Sequence, residues 1–296
     1  AVVPWTATDR GTSRVEVRAR VESGANVRRR GEDVTAGTTV LPRGSRISAR
    51  QIALLAGIGR QRINVHPAPR VVIISIGNEL VEPGRPRETG QVFDANGHAL
   101  ACAVTDAGGR AFRVAAVPDE LGALRETIED QLVRADVLIT TGGLSVGQGD
   151  TVKDVLAPLG SVRFDAVAMS PGRQLGVGTV EGTPIFCLPG DPVSAQIAFE
   201  TFVRPVLRQI AGRTSLHRSS LPATMSEGWH SPIGKREFVP VHVSGSPARG
   251  YRAEPTTPPG TVPLHGLSAA NAIAVVPEDT STVVAGDTLH CLLLDA

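Results

Sequence analysis

Thr140-Thr141-Gly142-Gly143-Leu144-Ser145-Val146-Gly147-Gln148-Gly149-Asp150 is the stretch on which the reading of this chain turns. Ahead of it, residues 135–139 form a short, mostly apolar run that reads as a buried strand. Behind it, residues 151–159 read as a helix with Asp150 placed as its N-cap. Gly142, Gly143, Gly147 and Gly149 let backbone N–H groups converge where a Cβ would collide. Unpaired N–H groups at the helix start favour an anion, a phosphate first of all. A tight strand-to-helix turn with no ligand has the same local pattern, so both readings stand on these residues alone.

Outward from this turn, strands and helices alternate. Residues 71–76 are largely β-branched, as in a strand buried on both faces, and end in Gly77-Asn78-Glu79-Leu80. Phe93-Asp94-Ala95-Asn96 opens a helix that Gly108-Gly109 stops. Residues 111–117 read as a strand. Pro118-Asp119-Glu120 then opens a helix to about residue 134, with Leu121, Leu124, Ile128 and Leu132 at helical spacing. Past the Gly-rich turn, residues 162–168, 175–180 and 185–188 are strand-like. The last of these runs into Pro189-Gly190-Asp191-Pro192, and a helix follows from 193 to 210. This order predicts an α/β domain over 71–213 with a doubly wound, mainly parallel sheet. Such sheets bind ligands beyond the carboxyl ends of their strands. The turns at 77–80, 142–150 and 189–194 should therefore share one rim, with Asp119 at a further strand-to-helix junction.

The flanks read as β-rich. In residues 1–70, Val15-Glu16-Val17-Arg18-Ala19-Arg20-Val21 alternates like a half-exposed strand, and Pro42-Arg43-Gly44 suggests a hairpin turn within 38–47. Ser48 is placed to cap a short helix to Gly57. Residues 65–70 form an extended linker, in which His66 is structural. Arg28-Arg29-Arg30 reads as a solvated loop or as a contact for an acidic ligand. Residues 214–296, with strands at 238–243, 272–276 and 288–294, read as a small barrel-like β domain.

Composition narrows the function. The chain has 296 residues, 41% of them hydrophobic, enough for two or three domains with real cores. A net charge of +1 and 3% aromatics argue against nucleic-acid binding. Cys102, Cys187 and Cys291 are far apart, with neither zinc spacing nor a disulfide framework, which points to the cytoplasm. No apolar run is long enough to cross a membrane, and no signal peptide opens the chain.

Several ordered motifs then resemble one family. Gly142-Gly143-Leu144-Ser145-Val146-Gly147 with Asp150, Ser170-Pro171-Gly172-Arg173, and Leu188-Pro189-Gly190-Asp191-Pro192-Val193-Ser194 are similar to the molybdopterin molybdenumtransferases, the MoeA type that includes the gephyrin E-domain. Asn26-Val27-Arg28 with Arg30-Gly31-Glu32-Asp33 matches a further signature of that family. The resemblance covers residues 20–212 most closely, and the family's N-terminal part is expected to be missing ahead of Ala1. It implies a cytoplasmic homodimer in molybdenum cofactor synthesis that takes adenylylated molybdopterin and molybdate, uses Mg²⁺, releases AMP, and meets the molybdopterin adenylyltransferase as a partner.

By that resemblance Asp150, Asp119, Asn78 and Glu32 are the catalytic candidates, with Glu79 beside them. Gly142, Gly143, Ser145, Gly147, Pro189, Gly190, Asp191 and Ser194 would bind the substrate. Ser170, Arg173 and Lys235 would receive molybdate, an oxyanion that needs cationic or hydroxyl donors. Asp119 and Asp150 have a purely structural alternative as helix caps, and Glu32 and Glu79 as surface charges. The chain departs from the family pattern at Asn78, where Asp is usual, at Ser170 and Arg173 for lysines, and at Asp191 for Asn. A weakened paralogue, or a scaffold that binds molybdopterin without turnover, is the alternative those departures raise.

Overall fold

The computed structural model describes residues 1–144, 151–261 and 263–294. They form two compact units, Ala1–Arg62 and Ile63–Ala296. In the first, Ser48 caps helix α1 (Ala49–Gly57), and its backbone N–H donates to Gln51 Oε1 at 3.2 Å, as a capping box does. The expected strand at 15–21 is reduced to an isolated bridge between Thr8 and Val17. Alternation alone does not make a strand here: no neighbouring ladder covers the apolar row, and Val15 and Val17 stay exposed. At 38–47 the turn forms, with the Ser45 N–H on the Pro42 carbonyl, but its flanks do not pair.

The second unit opens with β1 (Arg70–Ser75), the short pair β2 (Leu80–Val81) and β3 (Val92–Phe93), helix α2 (Ala95–Asp106) and β4 (Arg110–Arg113). Then follow α3 (Leu121–Leu132), β5 (Val137–Thr141), α4 (Thr151–Leu159), β6 (Gly160–Ala166), β7 (Met169–Ser170), β8 (Gln174–Val180) and β9 (Thr183–Leu188). A six-stranded sheet has the order β4-β1-β5-β9-β8-β6. Its first four strands are parallel, and β8 and β6 extend it antiparallel. Every residue of β5 is buried, which explains the mostly apolar run read at 135–139.

The period-two pleat divides the core. Val71, Ile73, Val137 and Ile139 pack with Leu100 and Val104 of α2 and with Ala195 and Phe199. Val72, Ile74 and Leu138 pack on the other face with Leu124, Ile128, Val152 and Leu156 of α3 and α4. The sheet is thus doubly wound, as its sequence predicted. The helix expected at 193–210 is built of α5 (Pro192–Ala198), a π turn (Phe199–Val203) and α6 (Arg204–Ile210). Pro205 has no N–H to close an ordinary turn, and the wider turn sits just ahead of it.

The rest of the chain gives β10 (Ser220–Met225), β11 (Trp229–His230), β12 (Arg236–Ser246), β13 (Gly250–Pro255), α7 (Leu264–Ala269), β14 (Ala272–Val276), β15 (Thr282–Val283) and β16 (Thr288–Leu293). The order β13-β10-β16-β14-β12 closes on itself, because β13 also pairs with β12. This small barrel encloses Val239, Val241, Ala274 and Cys291, and burial pushes the Cys291 thiol up to about 11. β7, from the α/β stretch, adds to β12 as a parallel neighbour. Glu200 takes Arg218 at 2.8 Å and Arg204 at 3.5 Å, a nearly buried ion group that ties the π turn to the approach of β10. No helix among the described residues is long and apolar enough to cross a membrane.

Phe199 is fully buried between α2 and the sheet, whereas Leu121 on α3 is 55% exposed. Phe199→Ala should cost about 3–5 kcal/mol and Leu121→Ala under about 0.5, read as shifts in the urea midpoint by circular dichroism. Equal shifts would place the core elsewhere.

Candidate functional site

The site begins where β1, β5 and β9 end together. The Ile76 N–H donates to the Thr141 carbonyl (2.9 Å) and the Gly142 N–H to the Leu188 carbonyl (3.2 Å), so the ladder holds as each strand turns away. Gly142 has φ +89°, and a Cβ there would lie 2.3 Å from the Ile76 carbonyl oxygen. Only glycine permits that approach. Gly190 lies against Gly142 in turn, its would-be Cβ 3.5 Å from the Gly142 Cα.

Above these ends lies a cavity of about 560 Å³. Gly77, Glu79, Asp119, Gly142, Gly143 and Gly190 are in its lining, so all three turns and the β4–α3 junction meet at one rim. Ser75, Asp94, Asn96 and Thr141 complete its polar wall. Sequence reading had not singled out these four. Asp94 and Asn96 were visible only as a helix start, and that start reaches the rim because α2 packs along β1.

Each polar group has a defined place. Asn78 Oδ1 accepts the Asp119 N–H at 3.0 Å, so the amide holds the β4–α3 junction to the end of β1. Asp119 is not the cap of α3. Glu120 takes that position, and Asp119 Oδ1 is buried without a hydrogen-bond partner, beside Gly143. The Glu79 carboxylate folds back over Gly77, 2.6 Å from where a Cβ would stand. Asp94 caps α2, accepting from the Gly97 N–H (2.8 Å) and the Ser75 hydroxyl (2.9 Å), with Arg113 at 3.7 Å. Arg113 also donates to Glu82 and holds its carboxyl below the usual range. Asn96 Nδ2 donates to Thr141 Oγ1 and to the Gly190 carbonyl, both at 2.8 Å, and Thr141 Oγ1 donates to the Pro189 carbonyl at 2.8 Å.

Other sequence candidates fall differently. Asp191 caps α5 through the Ser194 N–H (2.8 Å), which leaves Ser194 buried. The β7–β12 pairing sets Met169 opposite Arg236 and Ser170 opposite Glu237, with Lys235 just ahead of the paired strand. Arg173 is exposed on the loop that follows, and the Ser194 carbonyl lies 3.3 Å from where a Gly172 Cβ would be. Of this oxyanion group none lines the cavity, though Gln174, next to Arg173, does. Glu32 lies in the first unit, where its carboxylate accepts the Arg29 N–H at 2.6 Å. Ser145, Gly147 and Asp150 lie outside the described residues.

The match to known proteins spans this architecture. Residues 1–59 match the MoeA N-terminal region (domain I and II), 72–209 a probable molybdopterin binding domain, and 222–294 the MoeA C-terminal region (domain IV). Molybdopterin molybdenumtransferase 2 of Mycobacterium tuberculosis is 39% identical over 299 residues, covering 98% of this chain and 72% of that protein. The chain belongs to the molybdopterin molybdenumtransferase family. A second relative from that organism, molybdopterin molybdenumtransferase 1, is 36% identical over 99% of this chain and 70% of its own length. The crystal structure of the molybdopterin biosynthesis MoeA protein from Pyrococcus horikosii aligns with a TM-score of 0.83 at 27% identity, over 100% of this chain and 72% of that one.

Gly142→Ala should weaken both the fold and the site, because the added methyl meets a backbone carbonyl. Gly182, in the β8–β9 turn, has a similar φ of +81° but nothing within 4 Å of a Cβ. Gly182→Ala should cost only the left-handed penalty, about 1–2 kcal/mol. Thermal melting should separate the two, with Gly142→Ala the more damaged by several degrees. Equal melting temperatures would mean that the close approach to Ile76 carries no constraint.

Proposed function

We propose that this family member inserts molybdate into adenylylated molybdopterin with release of AMP. The observation that carries the reading is the meeting of three strand-end turns and two carboxylates, Glu79 and Asp119, around one cavity large enough for much of such a ligand. Gly142, Gly143 and Gly190 let the backbone come close to a phosphate; with the Gly142 N–H held by the Leu188 carbonyl, the N–H groups of Gly143 and Gly190 are the ones that favour its charge.

A hard cation fits the acidic side of the rim. Asp119 keeps a buried, unpartnered oxygen there, and Glu79 adds a second carboxylate. Among the described residues no three acidic, His or Cys side chains cluster as a metal cage. Two carboxylates completed by substrate phosphate and water suit Mg²⁺. When bound, it would neutralise charge on the phosphoanhydride as the bond to AMP breaks. Asn78 positions Asp119 by accepting its N–H, Asp94 and Asn96 fix the α2 side of the cavity, and the turns exclude water from the bound phosphates. By their motif Asp150 is assigned to catalysis and Ser145 and Gly147 to substrate binding. Ser170, Arg173 and Lys235 form a second, cationic and hydroxyl group that we assign to molybdate.

The first unit supports a homodimer. Among its described residues Leu55 is the one buried apolar side chain, while Val2, Trp5, Val15, Val17, Val27 and Ile52 are exposed, a surface that a second copy would cover. Three free cysteines fit a cytoplasmic enzyme, one that receives its substrate from the adenylyltransferase. We keep 1–70, 71–213 and 214–296 as the working division into domains.

The test is turnover of the whole chain with adenylylated molybdopterin, molybdate and Mg²⁺. AMP and the metallated cofactor should both appear; substrate binding with neither product would favour the scaffold reading. Asp119→Asn should raise the Mg²⁺ needed for half-maximal rate by about ten- to a hundredfold. Asn78→Asp keeps the acceptor for the Asp119 N–H and adds a charge at the rim. It should lower the Mg²⁺ requirement while shifting stability by less than about 0.5 kcal/mol.

A further inference from the structure

Two buried side chains beside the glycine turns control the direction of the Pro189–Asp191 backbone. Thr141 is 2% exposed and Asn96 8%. The Pro189 carbonyl can only accept, so the Thr141 hydroxyl must donate to it. That leaves Thr141 Oγ1 as the acceptor for one Asn96 Nδ2 hydrogen, and the Gly190 carbonyl takes the other. The side-chain amide of Asn96 therefore has one orientation, with its Oδ1 buried and unpartnered. A buried acceptor left unsatisfied is unfavourable, and native folds retain few of them.

The consequence lies in the peptide planes. In a trans peptide the N–H points opposite to the C=O. With the Pro189 and Gly190 carbonyls turned toward Thr141 and Asn96, the N–H groups of Gly190 and Asp191 are turned the other way. Both residues are exposed, and Gly190 lines the cavity. Among the described residues neither N–H has a backbone or side-chain acceptor. The Asp191 carboxylate is held on the helix side by the Ser194 N–H.

We propose that Asn96 and Thr141 are positioning residues that aim the Gly190 and Asp191 N–H groups at a phosphate oxygen of the substrate. This rests on the functional reading above and adds to it the residues that set the donors.

The test uses the whole chain with AMP and with adenosine as probes. Thr141→Val keeps the shape and removes the hydroxyl, and should lower AMP affinity about five- to tenfold while leaving adenosine binding unchanged. Thr141→Ser should restore it. In the wild-type protein the amide proton resonances of Gly190 and Asp191 should move downfield with AMP and stay in place with adenosine, a readout that needs no variant to fold. Unmoved amides, or a Thr141→Val loss shared equally by AMP and adenosine, would overturn the proposal and leave the functional reading intact. A wild-type chain that binds no AMP would instead sink the functional reading, and this inference with it.

Discussion

The contact between Gly142 and the Ile76 carbonyl is the constraint from which the site follows. A would-be Cβ 2.3 Å from a carbonyl oxygen means that β1 and β5 leave the sheet closer together than side chains allow. The Gly142 N–H then reaches Leu188, so β9 is drawn into the same rim. Hydrogen bonds across three strand ends fix the spacing of three turns before any side chain acts. Parallel strands make this possible, since all their carboxyl ends face one way. The two-sided aliphatic core beneath keeps the strands in register, because a one-residue slip would exchange the residues facing α2 and α5 with those facing α3 and α4.

The barrel is joined to this scaffold by more than its linker. β7 leaves the α/β stretch to pair with β12, and Met169 packs with Val193, Ile197, Phe238 and Ile273. The Glu200 ion group adds a polar tie at the π turn. Breaking it from one side would strand a nearly buried charge, so the tie resists opening even where it adds little net stability. The loop carrying Ser170 and Arg173 thus has β12 on one side and α5 on the other. Its place is set by both elements and by neither alone.

Much of this was legible in the sequence, for identifiable reasons. Strands buried on both faces left largely apolar runs at 71–76 and 135–139, and helices ended at Gly or began at Asp, so the α/β order read correctly, with the second strand running two residues further than its apolar run. Helix α4 at 151–159 and strand β14 at 272–276 were read to the residue. Alternation failed at 15–21, because period two signals a strand only where a partner strand and a core are supplied. The site was half legible. Glycine turns announce themselves through the conformations they require. Asn96 and Thr141 do not: one looks like a second residue of a helix, the other like the last residue of a strand. Their importance comes from a hydrogen-bond chain between positions 96, 141, 189 and 190, which no local pattern contains.

The same distinction bears on Asn78. From sequence, an amide where the family places a carboxylate looks like lost chemistry. In the fold, the oxygen at that position receives the Asp119 N–H, a task an amide and a carboxylate perform alike. What differs is charge. Glu79 and Asp119 already face the cavity, and a third carboxylate would raise their mutual repulsion when no cation is bound. The amide keeps the geometry without that repulsion, so the residue at position 78 holds the β4–α3 junction in place while adding no charge beside Glu79 and Asp119.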